Sequence, residues 1–157
     1  MYLETKRCLI CPLSLDDAEA LHLCLSDPEV MRYIEPPFTL DKTRGFLRTA
    51  GLSSPPLVHA LVWKATGDLI GHVIFHPYPG SEDWEMGWVI RRDSWGKGIA
   101  SEVTAALVEF ARQHGIPGLI LECDPQQEAS LHIAEKLGFQ PIGEEDGCTV
   151  FKRWLQK

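Results

Sequence analysis

Arg92-Asp93-Ser94-Trp95-Gly96-Lys97-Gly98-Ile99-Ala100 is the most informative stretch of this chain. Ahead of it stands Trp84-Glu85-Met86-Gly87-Trp88-Val89-Ile90, a run rich in aromatic and β-branched residues that reads as a strand. Behind it Val103, Ala106, Leu107, Phe110 and Ala111 fall at i, i+3, i+4, i+7 and i+8, the apolar stripe of an amphipathic helix, which Gly115 and Pro117 stop. Strand, glycine-rich loop and helix in that order suit an anion. The first N–H groups of a helix have no partner within it, and the helix dipole adds a partial positive charge. Gly96 and Gly98 let the backbone approach closely, small Ala100 and Ser101 keep the first turn uncrowded, and Lys97 can add a charge contact. A tight turn that binds nothing has the same composition, so the loop alone leaves both readings open.

Two common phosphate motifs do not fit. The P-loop spacing of four residues between its first Gly and Gly-Lys-Ser/Thr is absent. The dinucleotide fingerprint lacks its third glycine, since Gly96 and Gly98 are followed by Ser101, and too little chain remains for a doubly wound domain.

The residues on either side set the architecture. His59–Lys64 and Leu69–Phe75 read as strands around the turn Thr66-Gly67-Asp68, and Pro77-Tyr78-Pro79-Gly80 turns the chain again. With Trp84–Ile90 they make an antiparallel meander. Near the N-terminus a strand is expected over about Lys6–Leu13. A helix follows from Ser14, with an acidic residue three positions on, and a second starts at Asp27-Pro28. Pro36-Pro37 breaks the chain before a helix over about Leu40–Ala50. After the central helix come a short apolar strand at Leu119–Cys123, a helix near Glu128–Leu137, and strands at Phe139–Gly143 and Cys148–Trp154 around Asp146-Gly147.

The 157 residues suit one domain, 1–157, with a sizeable core, and 45% are hydrophobic. No run of about 20 apolar residues is present and the first residues do not resemble a signal peptide, so the expected location is cytoplasmic. The net charge of −7 disfavours nucleic acid or an anionic membrane as partner and mildly favours a cationic one. Five scattered cysteines do not make a disulfide framework, and Cys8 and Cys11 read as ordinary strand cysteines with no second pair to complete a metal site.

Taken together, the chain resembles the GNAT superfamily of N-acetyltransferases over nearly its whole length. Trp95-Gly96-Lys97-Gly98-Ile99-Ala100 is in register with that family's pyrophosphate signature, Q/R-x-x-G-x-G/A. Arg7–Leu13 with Leu15–Ile34 is similar to its first strand and paired helices. Ala129-Ser130 with Glu135-Lys136-Leu137-Gly138-Phe139 is similar to its late helix. The pattern is most similar to the branch that acetylates ribosomal-protein N-termini and many small amines. The resemblance implies an α/β (α+β) acyl-CoA N-acyltransferase fold. Its mixed, bent sheet has about seven strands with four helices, in the order strand, two helices, three strands, helix, strand, helix, two strands.

The resemblance also implies a site. Acetyl-CoA is the expected cosubstrate, with no metal. The loop residues Trp95, Gly96, Lys97, Gly98, Ile99, Ala100 and Ser101 are expected to hold its pyrophosphate. The backbone of Trp88, Val89 and Ile90 is expected to hold the pantetheine, with the Val89 amide as oxyanion donor. Gln127 and Ser130 are expected beside the coenzyme. Two departures stand out: Trp95 replaces the usual Gln or Arg, and Gln127 replaces a common Asn.

Transfer from a thioester to an amine requires a deprotonated amine, donors for the developing oxyanion and a proton for the departing thiolate. Glu85 aligns with the carboxylate that serves as base in relatives, against the plainer reading of a solvated strand residue. His76 is the competing base, or an ordinary hydrogen-bonded histidine. Ala134 stands where many relatives have an acid Tyr, and Ser130 is the nearest polar alternative. Tyr33, Glu35, His76 and Trp84 are candidates to contact the acceptor, although aromatics at such spacings more often pack in a core. The leading function is acetyl transfer to a primary amine, either a protein N-terminus or a small amine. The alternatives are a coenzyme-A-binding regulatory module without turnover and, less in keeping with the motifs, a nicotinamide oxidoreductase. Relatives often pair, so a homodimer is also expected.

Overall fold

The computed structural model describes residues 1–155. Among them, eight strands form one sheet: β1 (Leu3–Glu4), β2 (Cys8–Cys11), β3 (Val58–Trp63), β4 (Leu69–Pro77), β5 (Trp84–Ile90), β6 (Gly118–Cys123), β7 (Gln140–Glu145) and β8 (Cys148–Trp154). Their spatial order is β1-β2-β3-β4-β5-β6-β8-β7, and every neighbouring pair is antiparallel except β5 and β6. Five helices flank the sheet: α1 (Ala18–Leu25), α2 (Pro28–Met31), α3 (Leu40–Phe46), α4 (Ile99–Gln113) and α5 (Glu128–Lys136). The α/β (α+β) acyltransferase architecture is therefore present, with one strand and one helix more than expected.

The differences are local. The expected first strand is confined to Cys8–Cys11, and a short strand that was not expected, Leu3–Glu4, precedes it across a turn at Thr5–Arg7. Thr5 N–H donates to the Cys8 carbonyl at 2.9 Å, and Glu102 on α4 accepts from Thr5 Oγ1 at 2.6 Å and from Arg7 N–H at 2.8 Å. A carboxylate far along the chain stabilises that turn, so no local pattern announces it. Ser14 and Asp17 form the expected capping box, but the first turn it caps, Leu15–Asp17, is a 3-10 turn ahead of α1. The helix expected to Ala50 ends at Phe46 and widens into a π-helical turn over Leu47–Gly51.

The sheet buries both faces. On one side Leu61, Val73, Phe75, Met86, Leu119 and Leu121 meet Val103, Leu107 and Ala111 of α4, the stripe read from the sequence. On the other, Val58, Ala60 and Val89 meet Leu21 and Leu25 of α1 and Leu47. Burying each large aliphatic chain contributes roughly 1.5–3 kcal/mol. The first core anchors α4, and with it the glycine-rich loop, against the C-terminal end of β5.

One feature of the sheet matters most for the site. The strands β5 and β6 pair only at Trp84 with Leu119 and Glu85 with Ile120. From Met86 onward they separate, and among the described residues the facing edge of β5 has no strand partner.

Candidate active site

Backbone parity decides which groups face that gap. At one end of the β4–β5 ladder Tyr78 N–H donates to the Asp83 carbonyl at 2.8 Å, and at the other Arg91 N–H donates to the Ile70 carbonyl at 2.7 Å. The register between these bonds is continuous. Backbone groups alternate sides along an antiparallel strand, so Glu85, Gly87 and Val89 turn their N–H and C=O toward β4. Met86, Trp88 and Ile90 turn theirs toward the gap. The Trp95 indole N–H confirms the direction, donating to the Ile90 carbonyl at 2.8 Å. The expectation that the Val89 amide is the oxyanion donor is therefore corrected: its N–H points into the ladder, and the amides of Trp88 and Ile90 face the gap. The Val89 side chain is buried and forms part of the wall.

The gap opens into a cleft of about 570 Å³. One wall is α2 and the residues after it, Glu29 to Ile34. A second is Trp88, Val89 and Ile90. The loop from Ser94 to Ser101, without Lys97, forms the third, and Gln126 to Ser130 with Ile133 the fourth. At the loop Gly98 adopts φ 78° and ψ 14° and caps α4 with no side-chain hydrogen bond, so the N–H groups of the first turn face the cleft uncapped. A pyrophosphate fits that cradle by charge and by hydrogen bonding. Ser130 is 6% exposed and lines the cleft, and Gln127 caps α5 there.

At the closed end of the gap, ionisable groups meet on one sheet face. Glu85 lies opposite His76 in the ladder, with Oε1 and Nε2 3.6 Å apart. Burial pushes the Glu85 carboxyl above the usual carboxylate range; His76 opposes this, and Glu122 and Glu145 add to it. The Tyr78 hydroxyl lies 3.0 Å from both Glu122 Oε2 and Glu145 Oε2. Burial and hydrogen bonding to these two carboxylates push the phenol's pKa up, so it stays protonated at neutral pH. In this cluster the Glu85 carboxylate can accept a proton from an amine, and the Glu122 and Glu145 carboxylates can hold cationic charge.

Several expected residues stand elsewhere. Lys97 does not line the cleft, and its Nζ sits 6.0 Å over the Trp63 ring. Glu35 is exposed and pairs with Lys42 at 3.3 Å. Trp84 packs on Phe75 with ring centroids 4.8 Å apart and lies against the core, partly buried. Tyr33 does line the cleft. Ala134 is fully buried in the core and brings no polar group to the site. Tyr78, Glu122 and Glu145 were missed. Glu122 did carry a signal, since a carboxylate inside the apolar run Leu119–Cys123 needs a reason to be there.

A parallel pair that splays beside a glycine-capped helix start is the arrangement expected of an acyl-CoA-dependent transferase. Residues 7–140 match the acetyltransferase (GNAT) domain. The chain belongs to that family and is an N-acetyltransferase that uses acetyl-CoA. It is 30% identical over 160 residues to the uncharacterized N-acetyltransferase YnaD of Bacillus subtilis (strain 168), covering 100% of this chain and 89% of that protein. The crystal structure of a GNAT-family acetyltransferase from Bacillus anthracis is similar with a TM-score of 0.87 and 27% identity over 100% of both chains. The ribosomal L7/L12 alpha-N-protein acetyltransferase RimL, solved with coenzyme A, shares the fold with a TM-score of 0.80 at 17% identity over 98% of each chain.

Proposed function

We propose that this chain acetylates a primary amine, a protein N-terminus or a small amine, by direct attack on the thioester, with Glu85 as the general base. The observation that carries this reading is Glu85 itself, a half-buried carboxyl beside His76 at the closed end of a strand gap. In this reading the loop amides from Gly96 to Ala100 hold the pyrophosphate and the β5 edge pairs with the pantetheine. The Trp88 amide faces the thioester oxygen, because it lies deeper in the gap than Ile90 and its strand side is open. The amine approaches past Tyr33 on the α2 side and loses a proton to Glu85. Nitrogen then bonds the acetyl carbon, and the carbon–sulfur bond breaks. Ser130, buried in the cleft wall, is the polar side chain available to the departing thiolate. Glu122 and Glu145 make this face negative, which favours an acceptor that carries positive charge and no carboxylate of its own.

The test is a panel of primary amines and short peptides, read by release of free thiol from acetyl-CoA. Acetylation of at least one member, lost in Glu85→Gln, supports the reading. Coenzyme A binding without turnover on any member favours a regulatory module instead.

A further inference from the structure

The cleft wall formed by α2 and the wall formed by the coenzyme loop are joined by one ion pair, 65 residues apart in sequence. Asp27 caps α2 by accepting from the Glu29 N–H at 3.0 Å. Its two oxygens also take Arg92 in a fork, Nε to Oδ2 at 2.9 Å and Nη2 to Oδ1 at 3.0 Å. Two parallel charge-assisted bonds fix orientation as well as distance. The Asp27 side chain is 16% exposed and the Arg92 side chain 56%, so the carboxylate is partly shielded while the fork itself lies at the surface. Arg92 begins the 3-10 turn Arg92–Ser94, which runs directly into Trp95-Gly96-Lys97-Gly98. Its neighbour Arg91 is engaged elsewhere, with Asp93 at 2.7 Å and the Leu69 carbonyl at 3.4 Å.

The partner of that fork is a weak element. The helix α2 has four residues, a single turn, far below the length at which a helix persists alone. Val30 and Met31 are buried, and Val30 lines the cleft together with Glu29, Arg32, Tyr33 and Ile34. What orients this wall is therefore its buried pair of side chains at one end and Asp27 at the other. Arg92 and Asp27 thus connect the loop to α2 through two bonds.

We propose that Asp27 and Arg92 are positioning residues of the acetyl transfer: their pair carries the ordering of the coenzyme loop to α2, so that bound coenzyme A sets the wall met by the acceptor. This rests on the reading above, in which the amine passes α2 to reach Glu85. Neither residue touches the reacting atoms. Their effect falls on acceptor binding, and acceptor affinity becomes coupled to coenzyme occupancy.

Hydrogen exchange of residues 28–34, measured on the full chain with and without coenzyme A, tests this. Asp27→Asn keeps a side chain that can cap α2 but loses the charged fork, and Arg92→Gln removes the partner. In the wild-type chain, coenzyme A is expected to slow exchange across 28–34 by about tenfold. Both variants are expected to bind coenzyme A with close to wild-type affinity and to lose that slowing, with no further loss in the double variant. With the amine that the wild-type chain acetylates fastest, both raise the KM for amine and leave the KM for acetyl-CoA unchanged. Slowing that persists in either variant overturns the proposal, because the coenzyme then orders α2 by direct contact. Loss of coenzyme binding together with the slowing also overturns it, because the pair then builds the coenzyme site itself. A wild-type chain that binds coenzyme A without slowing α2 refutes the coupling alone, whereas one that binds no coenzyme A refutes the acetyltransferase reading and the coupling with it.

Discussion

Replacing Glu85 by Gln separates its chemistry from its effect on stability, because the two move in opposite directions. A positioned general base contributes about 10²–10⁴ in rate, or roughly 3–5 kcal/mol of barrier. The amide of Gln is nearly isosteric and cannot take the proton, so Glu85→Gln should lower kcat by that factor and leave the KM for acetyl-CoA unchanged. The stability effect follows from proton linkage. Burial raises the Glu85 carboxyl above its ordinary value of 4.5, so the folded chain holds this proton more tightly than the unfolded chain does. Between that ordinary value and the raised one, the folded state binds more protons, and stability falls as pH rises through the window. Above the window the ionised carboxylate costs stability that Glu85→Gln does not. At neutral pH the variant should therefore melt at the same temperature as wild type or higher, while turning over far more slowly. The acid limb of the wild-type kcat/KM profile should reflect deprotonation of a carboxyl titrating above 4.5, and the variant should lack that limb. Thiol release across pH, with a melting curve at each pH, measures both. Wild-type turnover in Glu85→Gln, or activity lost only in step with a lowered melting temperature, refutes the assignment.

Other perturbations test other parts of the structure. Gly98→Ala puts a side chain at φ 78° with no atom nearer than Arg7 Nη2 at 3.7 Å. Strain rather than collision is the cost, roughly 1–2 kcal/mol, seen as a lower melting temperature together with weaker coenzyme A binding by calorimetry. Gly71→Ala is expected to be severe, because a Cβ there would collide with the Val89 carbonyl oxygen and force β4 from β5; loss of cooperative unfolding by circular dichroism is the check. Trp95→Phe removes the indole bond to Ile90 and should cost about 1 kcal/mol of stability with coenzyme affinity nearly retained, since the freed carbonyl can accept a bond from the ligand. Leu107→Ala, at the centre of the α4 stripe and fully buried, should cost about 2–5 kcal/mol in denaturant unfolding.

The order of elements, the central meander and the loop with its helix were legible in the residues alone. They rest on local rules: period-2 and period-3.6 patterning, glycine where the backbone turns left-handed, and proline where it cannot continue. Glu85 was a candidate through the family resemblance, and the pairing of β4 with β5, neighbours in sequence, sets it opposite His76. Two things were not legible. Which amides of β5 face the gap depends on the hydrogen-bonding parity of its ladder with β4, and one residue of shift exchanges Val89 for Trp88 and Ile90. The other is every contact made by distant residues: Glu102 turning the first strand at Thr5, Tyr78 between Glu122 and Glu145, and Arg92 holding Asp27. Periodicity reports only which way a side chain faces along its own element. What it meets there is decided when the sheet curls and brings separate strands together, and tertiary structure alone supplies that information.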